Sequence, residues 1–391
     1  MPTKENILII ASKSTYHTAP RGIQANMIVN ELSKYHRVYL ITSNYSLPDK
    51  ESYFSSLVKV FTINNINKYL SKIFTRILLD FGFRDFIWSH RVKNKAVKIC
   101  RSENINKIIS FSFPASNADV GYYIKKTIPT INLISYFSDP ISLNPYLVSH
   151  AFDKWRLQRY ENKLFTASDT IVFPSTVMKN IYSTLYPVFK NKIRIIPHCF
   201  KPVKESPKIL ISSKKEFHII RYFGLLNRTR HPFSILKFVT EHSGYFKQQK
   251  IKFEFIGNLS VALKLKLYTI KYDNKIISFI GEIDYQKVPS LMKDSFMLLL
   301  IDANFIVSPF FPSKLVEYLS YKIPIIGVTP MGSESENILK KAGHLAIPQE
   351  RLEKILPYLS KMLKSNHLKL QNIENYNVEN VTKLWDDLIN E

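Results

Sequence analysis

The chain has 391 residues, 45% hydrophobic and 22% charged, a globular composition long enough for two domains of ordinary size. Its formal charge of +24 favours anionic partners: phosphorylated ligands, anionic membrane or nucleic acid. Cys100 and Cys199 have no CxxC partner and no clustered histidines, which argues against a zinc site and a disulfide scaffold, so no metal and two reduced thiols are expected.

From the start of the chain, Asn6 to Ser12 is too short an apolar run for a signal peptide, and nothing approaches the length of a membrane span. A cytoplasmic protein is therefore expected. Strands are predicted at Ile7–Ala11, Val38–Thr42, Val58–Ile63, Lys107–Phe111, Thr130–Ile134, Thr170–Phe173 and Arg194–Ile196. Helices are predicted between them at 22–35, 68–82, 86–102, 115–126, 152–168 and 176–186. Lysines, prolines and serines at 201–216 then read as a linker. The alternation restarts with strands at Phe217–Tyr222, Lys252–Ile256, Ile276–Ile280, Phe296–Ile301, Ile325–Val328 and His344–Ile347. Its helices are expected at 232–247, 259–272, 285–294, 313–322, 333–341, 350–365 and 378–389. Such alternation predicts an α/β protein of two doubly wound parallel-sheet domains. They would span 1–200 and 217–372, with 373–391 forming a last helical segment.

Ligands of open parallel sheets bind beyond the carboxyl ends of the strands, so the loops after strands carry the candidates. The first, SKSTYHTAPRG, lacks GxGxxG and the P-loop pattern, although Gly22 would let backbone approach a phosphate or sugar, or simply turn. Asp139, in SYFSDP, reads either as a turn residue or as a catalytic or acceptor-binding carboxylate. His198 ends the last strand of the first domain, where a lone histidine is more often structural. In YFGLLNRTRHP, Gly224 turns the chain and Arg228 and Arg230 suit a diphosphate, because a guanidinium binds phosphate oxygens in bidentate fashion. Gly257-Asn258 and Gly281-Glu282 end the following strands, where glycine would let a flat base lie against backbone.

The most informative stretch is PFFPSKLVEYLSYKIPIIG, from Pro309 to Gly327. Ser308 and Ser313 offer N-cap oxygens, and Pro312 sits where its missing N–H costs nothing. Phe311, Leu315, Val316 and Leu319 form an apolar stripe. The free N–H groups of a helix start suit a phosphate, which would also explain a cation, Lys314, in that first turn. Glu317, one turn deeper, would reach hydroxyls of the same ligand; a solvated Lys314 and a salt-bridged Glu317 are the bland alternative.

One segment belongs to neither sheet. Leu70, Ile73, Phe74, Ile77, Leu78 and Phe81 follow helical spacing beside Lys68, Lys72 and Arg76. Residues 68–101 hold nine Lys and Arg against Asp80 and Asp85, a composition suited to an anionic membrane surface or to the domain's own core. No nucleic-acid motif is present, and no nucleic-acid partner is expected.

Taken in order, these pieces resemble the two-Rossmann-domain (GT-B) glycosyltransferases, and within them the family 4-like enzymes of bacterial surface polysaccharide assembly. APRGIQANMIVNEL with RVYLIT is similar to that family's opening loop, helix and second strand. DKWRLQRYENKLFTASDTIVFPSTVMKNIY, with a central Glu161, and IRIIPHCF follow. YFGLLNRTRHPFSIL, FEFIGN, ISFIGEIDYQKVPSLMKDSFMLLL and PSKLVEYLSYKIPIIG complete the series.

The resemblance implies a GT-B fold whose domains face a cleft, with the helix of Trp385 crossing back to the first domain. It implies a nucleotide-diphosphate sugar as donor, UDP- or GDP-linked, and a saccharide or polyprenyl-linked acceptor, with no metal required. Arg230, with Arg228 as alternate, would bind the diphosphate; Ser313 and Lys314 would touch phosphate; Glu317 would take the ribose hydroxyls. Gly22, Gly224, Gly257, Asn258, Gly281 and Glu282 would complete the donor side, and His17, Asp139 and His198 would face the acceptor. Arg230, Lys314 and the helix start would stabilise the leaving diphosphate. Asp139 would be the base of an inverting reaction or would position the acceptor of a retaining one. Three departures stand out: Pro309 replaces the first Glu of the E-x7-E motif, Leu225 follows Gly224 in place of Arg, and His198-Cys199 replace Asn-Gly. A nucleotide-sugar epimerase, or an idle anion- or membrane-binding protein of the same fold, would share most of these residues.

Overall fold

In the computed structural model the structure describes residues 4–14, 20–43, 54–63, 83–148, 150–203, 216–306, 308–364, 371 and 373–391. The predicted helix at 68–82, His17 and most of the predicted linker, 204–215, lie outside them. The chain forms two compact units, one of Met1–Lys201 with Tyr376–Glu391, the other of Pro202–Asn375.

The first unit contains β1 (Asn6–Ile10), β2 (Arg37–Ser43), β3 (Val58–Ile63), β4 (Lys107–Phe111), β5 (Asn132–Tyr136), β6 (Thr170–Phe173) and β7 (Ile193–Ile195). Its helices are α1 (Pro20–Leu32), α2 (Phe83–Ser102), α3 (Ala115–Thr127), α4 (Ala151–Ala167) and α5 (Thr176–Leu185). The strands pair in parallel in the order β3-β2-β1-β4-β5-β6-β7. Successive side chains of a strand point to opposite faces, and β1 shows it: Ile7 and Ile9 join one core with α1, while Leu8 and Ile10 join another with α2 and α3. The order reverses between β1 and β4, which makes that edge a ligand crevice in this class of sheet.

The C-terminal helix (Val378–Asn390) belongs to this first unit. Its Trp385 is fully buried against Phe111 and Tyr136, with ring centroids 6.0 and 5.6 Å away. His36 bonds to Asp386 at 2.7 Å, and the Lys107 ammonium donates to the carbonyl of Ile389.

The second unit contains β8 (His218–Phe223), β9 (Ile251–Ile256), β10 (Ile277–Gly281), β11 (Met297–Ile301), β12 (Ile325–Val328) and β13 (Leu345–Ile347). Its helices are α6 (Phe233–Glu241), α7 (Ser243–Gln248), α8 (Val261–Leu267), α9 (Val288–Lys293), α10 (Ser313–Ser320), α11 (Glu334–Lys341) and α12 (Ile355–Lys364). The parallel order β10-β9-β8-β11-β12-β13 again reverses beside its first strand.

Each predicted strand has an observed counterpart, shifted by no more than two residues. The helices differ more. The one expected at 232–247 breaks at His242, whose backbone leaves the helical region while its ring takes the carbonyl of Phe238 at 2.9 Å. The one expected at 259–272 stops at Leu267, because Val261, Leu265 and Tyr268 stay exposed and give its apolar stripe nothing to bury against.

All three tryptophans, Trp88, Trp155 and Trp385, lie in the first unit, so their emission reports on that unit alone. Trp385→Ala should cost the first unit about 3–5 kcal/mol, the usual range for emptying a buried tryptophan site. Denaturant titration followed by the remaining tryptophans checks this; an unchanged midpoint would mean that the C-terminal helix contributes nothing to the unit's stability.

Candidate active site

In the second unit the loops leaving β8, β9 and β10 are laced together at the carboxyl edge of the sheet. Gly224 N–H donates to Ile256 O at 2.9 Å and Gly257 N–H to Gly281 O at 2.8 Å. Leu226 N–H donates to Asn258 O at 3.0 Å. Gly257 has φ +133°, and a Cβ there would lie 2.1 Å from the carbonyl oxygen of Gly224, so only glycine permits this approach. Three glycine turns that stand apart in sequence thus become neighbours. Asn258 and Glu282, beside them, are exposed.

Past Gly224 the chain makes a tight polar turn. The Asn227 side-chain oxygen accepts from Thr229 N–H, the Thr229 hydroxyl and Arg230 N–H, each at 3.0 Å. The turn leaves Arg228 exposed and brings Arg230 back towards the sheet, where its guanidinium lies 4.0 Å from Asp302. Asp302 directly follows β11 and is fully buried. It accepts from Ala303 N–H at 2.7 Å and from the Ser335 hydroxyl at 2.6 Å. Burial pushes its carboxyl above the usual aspartate range, opposed by the nearby Arg230 charge and by those two bonds. Arg230 Nε is buried and, among the described residues, has no hydrogen-bond partner. Asp302 was not a candidate from sequence; an acid closing the apolar run LLLI was the available signal.

The start of α10 corrects one expectation. Its N-cap position is Pro312, in extended backbone, and no side chain caps it; Ser313 is already the first helical residue. Ser308 does not cap it either, since its hydroxyl is buried without a partner among the described residues. Among the described residues the first-turn N–H groups have no side-chain acceptor, though Leu315 N–H reaches Pro312 O at 2.9 Å, and a helix start in this condition can bind anions. Lys314 and Glu317 are ion-paired at 2.8 Å, each about a third exposed. Two further residues define the site. Tyr318, fully buried, takes Phe223 N–H at 2.9 Å and returns its hydroxyl to Phe223 O at 3.3 Å, tying α10 to the end of β8. Burial raises the Tyr285 phenol, and the Glu317 charge adds to that shift. The second unit thus brings together Gly224, Gly257, Gly281 and their neighbours, and separately draws Arg230 onto Asp302 beside β11. Pro309, where the first Glu of the motif was expected, is buried.

In the first unit Asp139 follows β5 by three residues and accepts from Arg21 Nη2 at 2.8 Å and Nε at 3.2 Å. Arg21, in the first turn of α1, lies 3.9 Å over the Phe113 ring. Gly22 is buried in the same turn. His198 is only 5% exposed and bonds to the Tyr136 hydroxyl at 3.0 Å. Next to it, Gln24 clamps the peptide of Cys199 with two 2.8 Å bonds. Burial pushes the Cys199 and Cys100 thiols up to about 12. No group of His, Cys, Asp and Glu suited to a metal occurs among the described residues.

The loop after Asp139 is held by Glu161, buried on α4. Its carboxylate accepts from Ile141 N–H (3.0 Å), Ser142 N–H (2.9 Å), Tyr182 OH (2.6 Å), Tyr186 OH (2.9 Å) and the Ser142 hydroxyl. Burial nevertheless leaves this carboxyl above the usual glutamate range.

No protein-family model matches this sequence, and no characterised protein matches it by sequence. Solved structures do match its fold. A glycosyltransferase from Rickettsia africae is 15% identical, with TM-score 0.67 over 99% of this chain and 98% of its own. The E. coli trehalose-6-phosphate protein bound with UDP-2-fluoro glucose is 10% identical, with TM-score 0.68 over 99% of each chain. A lipopolysaccharide outer core galactosyltransferase is 14% identical, with TM-score 0.59 over 98% of this chain and 99% of its own. UDP-N-acetylglucosamine 2-epimerases match as well. The fold is GT-B.

Glu161 allows a test of the first-unit loop by pH. Its carboxyl is raised in the folded state, so the native protein binds this proton at higher pH than the unfolded chain does. The group therefore adds stability as pH falls from neutral towards the ordinary glutamate value of 4.5. Glu161→Gln keeps an oxygen acceptor but removes the titration, so the stability gap should move in favour of the wild type on acidification. Glu161→Leu, which orphans several donors at about 1–3 kcal/mol each, should be far worse at every pH. Tryptophan-detected urea melts at pH 7.5 and 5 check both; a gap independent of pH would refute the assignment.

Proposed function

We propose that the chain is a glycosyltransferase that uses a nucleotide-diphosphate sugar, held by the second unit, and a saccharide or lipid-linked saccharide acceptor, held by the first. The observation that carries this reading is the Arg230 guanidinium, backed by a buried Asp302 and left with an unpartnered Nε, in the unit that also presents the uncapped start of α10. A carboxylate behind a guanidinium fixes its direction, and its remaining N–H groups suit phosphate oxygens.

Under this reading Arg230, with Arg228 beside it, carries the diphosphate. Ser313 and Lys314 meet phosphate at the helix start, and Glu317 takes ribose hydroxyls. The glycine turns at 224, 257 and 281 leave backbone open to the base, and Tyr285, close enough to sense Glu317, joins that side. Positive charge directed at the leaving diphosphate stabilises it without a metal. A UDP-sugar is the first donor to try, because the E. coli protein of this fold was solved with UDP-2-fluoro glucose. A surface polysaccharide acceptor is in keeping with the outer core galactosyltransferase. Asp139 is the acceptor-side carboxylate of this reading, oriented by Arg21, and places the acceptor hydroxyl or takes its proton. The basic stretch 68–101 is its candidate membrane contact; among the described residues no helix is long and apolar enough to cross a bilayer. An epimerase reading is kept because epimerases share the fold.

A thermal-shift screen with UDP, GDP, CDP, dTDP, ADP and their common sugar conjugates tests the donor site. A ligand at 100 times its dissociation constant stabilises the native state by about 2.7 kcal/mol, which raises the midpoint by several degrees. The shift should appear with one base and vanish in Arg230→Ala and in Glu317→Ala. No shift with any of them, in a protein that melts cooperatively, would overturn the reading. Release of a free epimerised nucleotide sugar without acceptor would favour the epimerase.

A further inference from the structure

The chain has three tryptophans, and two of them, Trp88 and Trp385, are fully buried. The third, Trp155, is 51% exposed near the start of α4 and stacks on Phe152, itself 65% exposed, with centroids 5.7 Å apart and planes at 30°. Arg159 lies 5.0 Å from the same indole. Phe152 is three residues before Trp155 and Arg159 four after, so the two neighbours approach the indole from opposite ends of the helix. Both pack on the indole, which stays half exposed.

The outer stripe of α4 continues this pattern. Phe152, Trp155, Arg159 and Lys163 recur at helical spacing on the exposed side, opposite the buried Leu157, Glu161 and Leu164. Lys154 is also exposed. No carboxylate on this helix answers that charge: Asp153 is paired with Arg156 at 4.0 Å, and Glu161 is buried. Phe152, Trp155, Arg159 and Lys154 belong to neither the core clusters nor the candidate donor site, while Lys163 also lies 4.1 Å from the Tyr122 ring. Two neighbouring exposed aromatics flanked by exposed cations, Arg159 and Lys154 foremost because Lys163 also senses Asp119, are the composition of a membrane interface.

We infer that this outer stripe of α4 docks on an anionic phospholipid bilayer, with Phe152 and Trp155 entering the headgroup boundary and Arg159, Lys163 and Lys154 meeting lipid phosphates. A flat sugar platform fits less well, because it needs a free aromatic face and the Trp155 ring already carries Phe152 and Arg159 against it. The stripe shares no residue with the 68–101 stretch, and its docking needs no donor, so it stands or falls apart from the transferase reading.

The full chain should be mixed with phosphatidylglycerol vesicles and with phosphatidylcholine vesicles, following tryptophan emission and co-sedimentation. Since Trp88 and Trp385 are shielded, a blue shift reports Trp155 entering an apolar layer. The shift is expected with phosphatidylglycerol only, and should weaken in high salt. Phe152→Ser with Trp155→Ser should lower vesicle partition about tenfold or more, and Arg159→Gln with Lys163→Gln should do likewise on phosphatidylglycerol. The melting midpoint should hold, since all four residues are exposed and, among the described residues, only Lys163, against the Tyr122 ring, gives up a contact with the rest of the unit. Emission that does not move overturns the inference, whether the protein stays in solution or sediments through another surface. Equal shifts with phosphatidylcholine or with soluble oligosaccharides, or a shift that follows protein concentration without lipid, would overturn it too.

Discussion

In a parallel sheet every strand leaves by the same edge, and that constraint organises each unit of this protein. The carboxyl ends of β8 to β12 deliver Gly224, Gly257, Gly281, Asp302 and Thr329 to one side without any of them being adjacent in sequence. The same rule brings Phe137, Ser138 and Asp139 to the corresponding edge of the first unit. What remains is to hold flexible exits in fixed positions. The protein does this with backbone bonds between loops, with one glycine that allows a contact no side chain permits, and with buried carboxylates.

The two buried carboxylates carry unequal loads. Glu161 gathers five donors and fixes the path of residues 141–142, just past Asp139. Such saturation makes an otherwise costly buried charge tolerable and rigid. Asp302 has only two donors and a cation at the outer limit of pairing distance. That leaves Arg230 less than satisfied. A guanidinium oriented from behind but incompletely bonded keeps binding capacity, whereas one locked by a close bidentate carboxylate would have spent it. Arg221, in the same unit, shows the locked condition: it bonds to Glu254 at 2.7 Å and to Leu291 O at 3.0 Å, and is buried.

The strands were legible because buried parallel strands are short apolar runs with sharp ends, and Gly257 and Gly281 were legible because they close such runs. Arg230, Lys314 and Glu317 could be singled out by their charge beside an exit loop or helix start. Their partners could not. Asp302 sits at a strand end, but its link to Ser335 spans 33 residues. Tyr318 reads as one more apolar position of α10, since its hydroxyl bond to Phe223 is visible only in three dimensions. Arg21 and Asp139 are 118 residues apart, and no local pattern joins them. The helix caps failed for a different reason: serines near a helix start outnumber those that cap it, and here Pro312 occupies the cap position. Helix ends at 242 and 267 depended on what the apolar stripes met, a tertiary property.

The Lys314–Glu317 pair ties these strands of argument together. Three residues apart, with Lys314 in the first turn of α10 and Glu317 a turn deeper, the two are partly exposed, and such pairs contribute roughly 0–1 kcal/mol. Breaking it therefore costs little. A cation in the first turn opposes the helix dipole, and Glu317 offsets that penalty as long as no anion is present. Under the transferase reading a diphosphate would take over this role, releasing Glu317 for hydroxyls and Lys314 for phosphate in a single exchange. Under the same reading Pro309, which stands where the resemblance would place the motif's first Glu, serves the same end. It brings no negative charge ahead of the helix start, so the attraction for phosphate there would rest on the α10 N–H groups and Lys314 without an opposing carboxylate at that position.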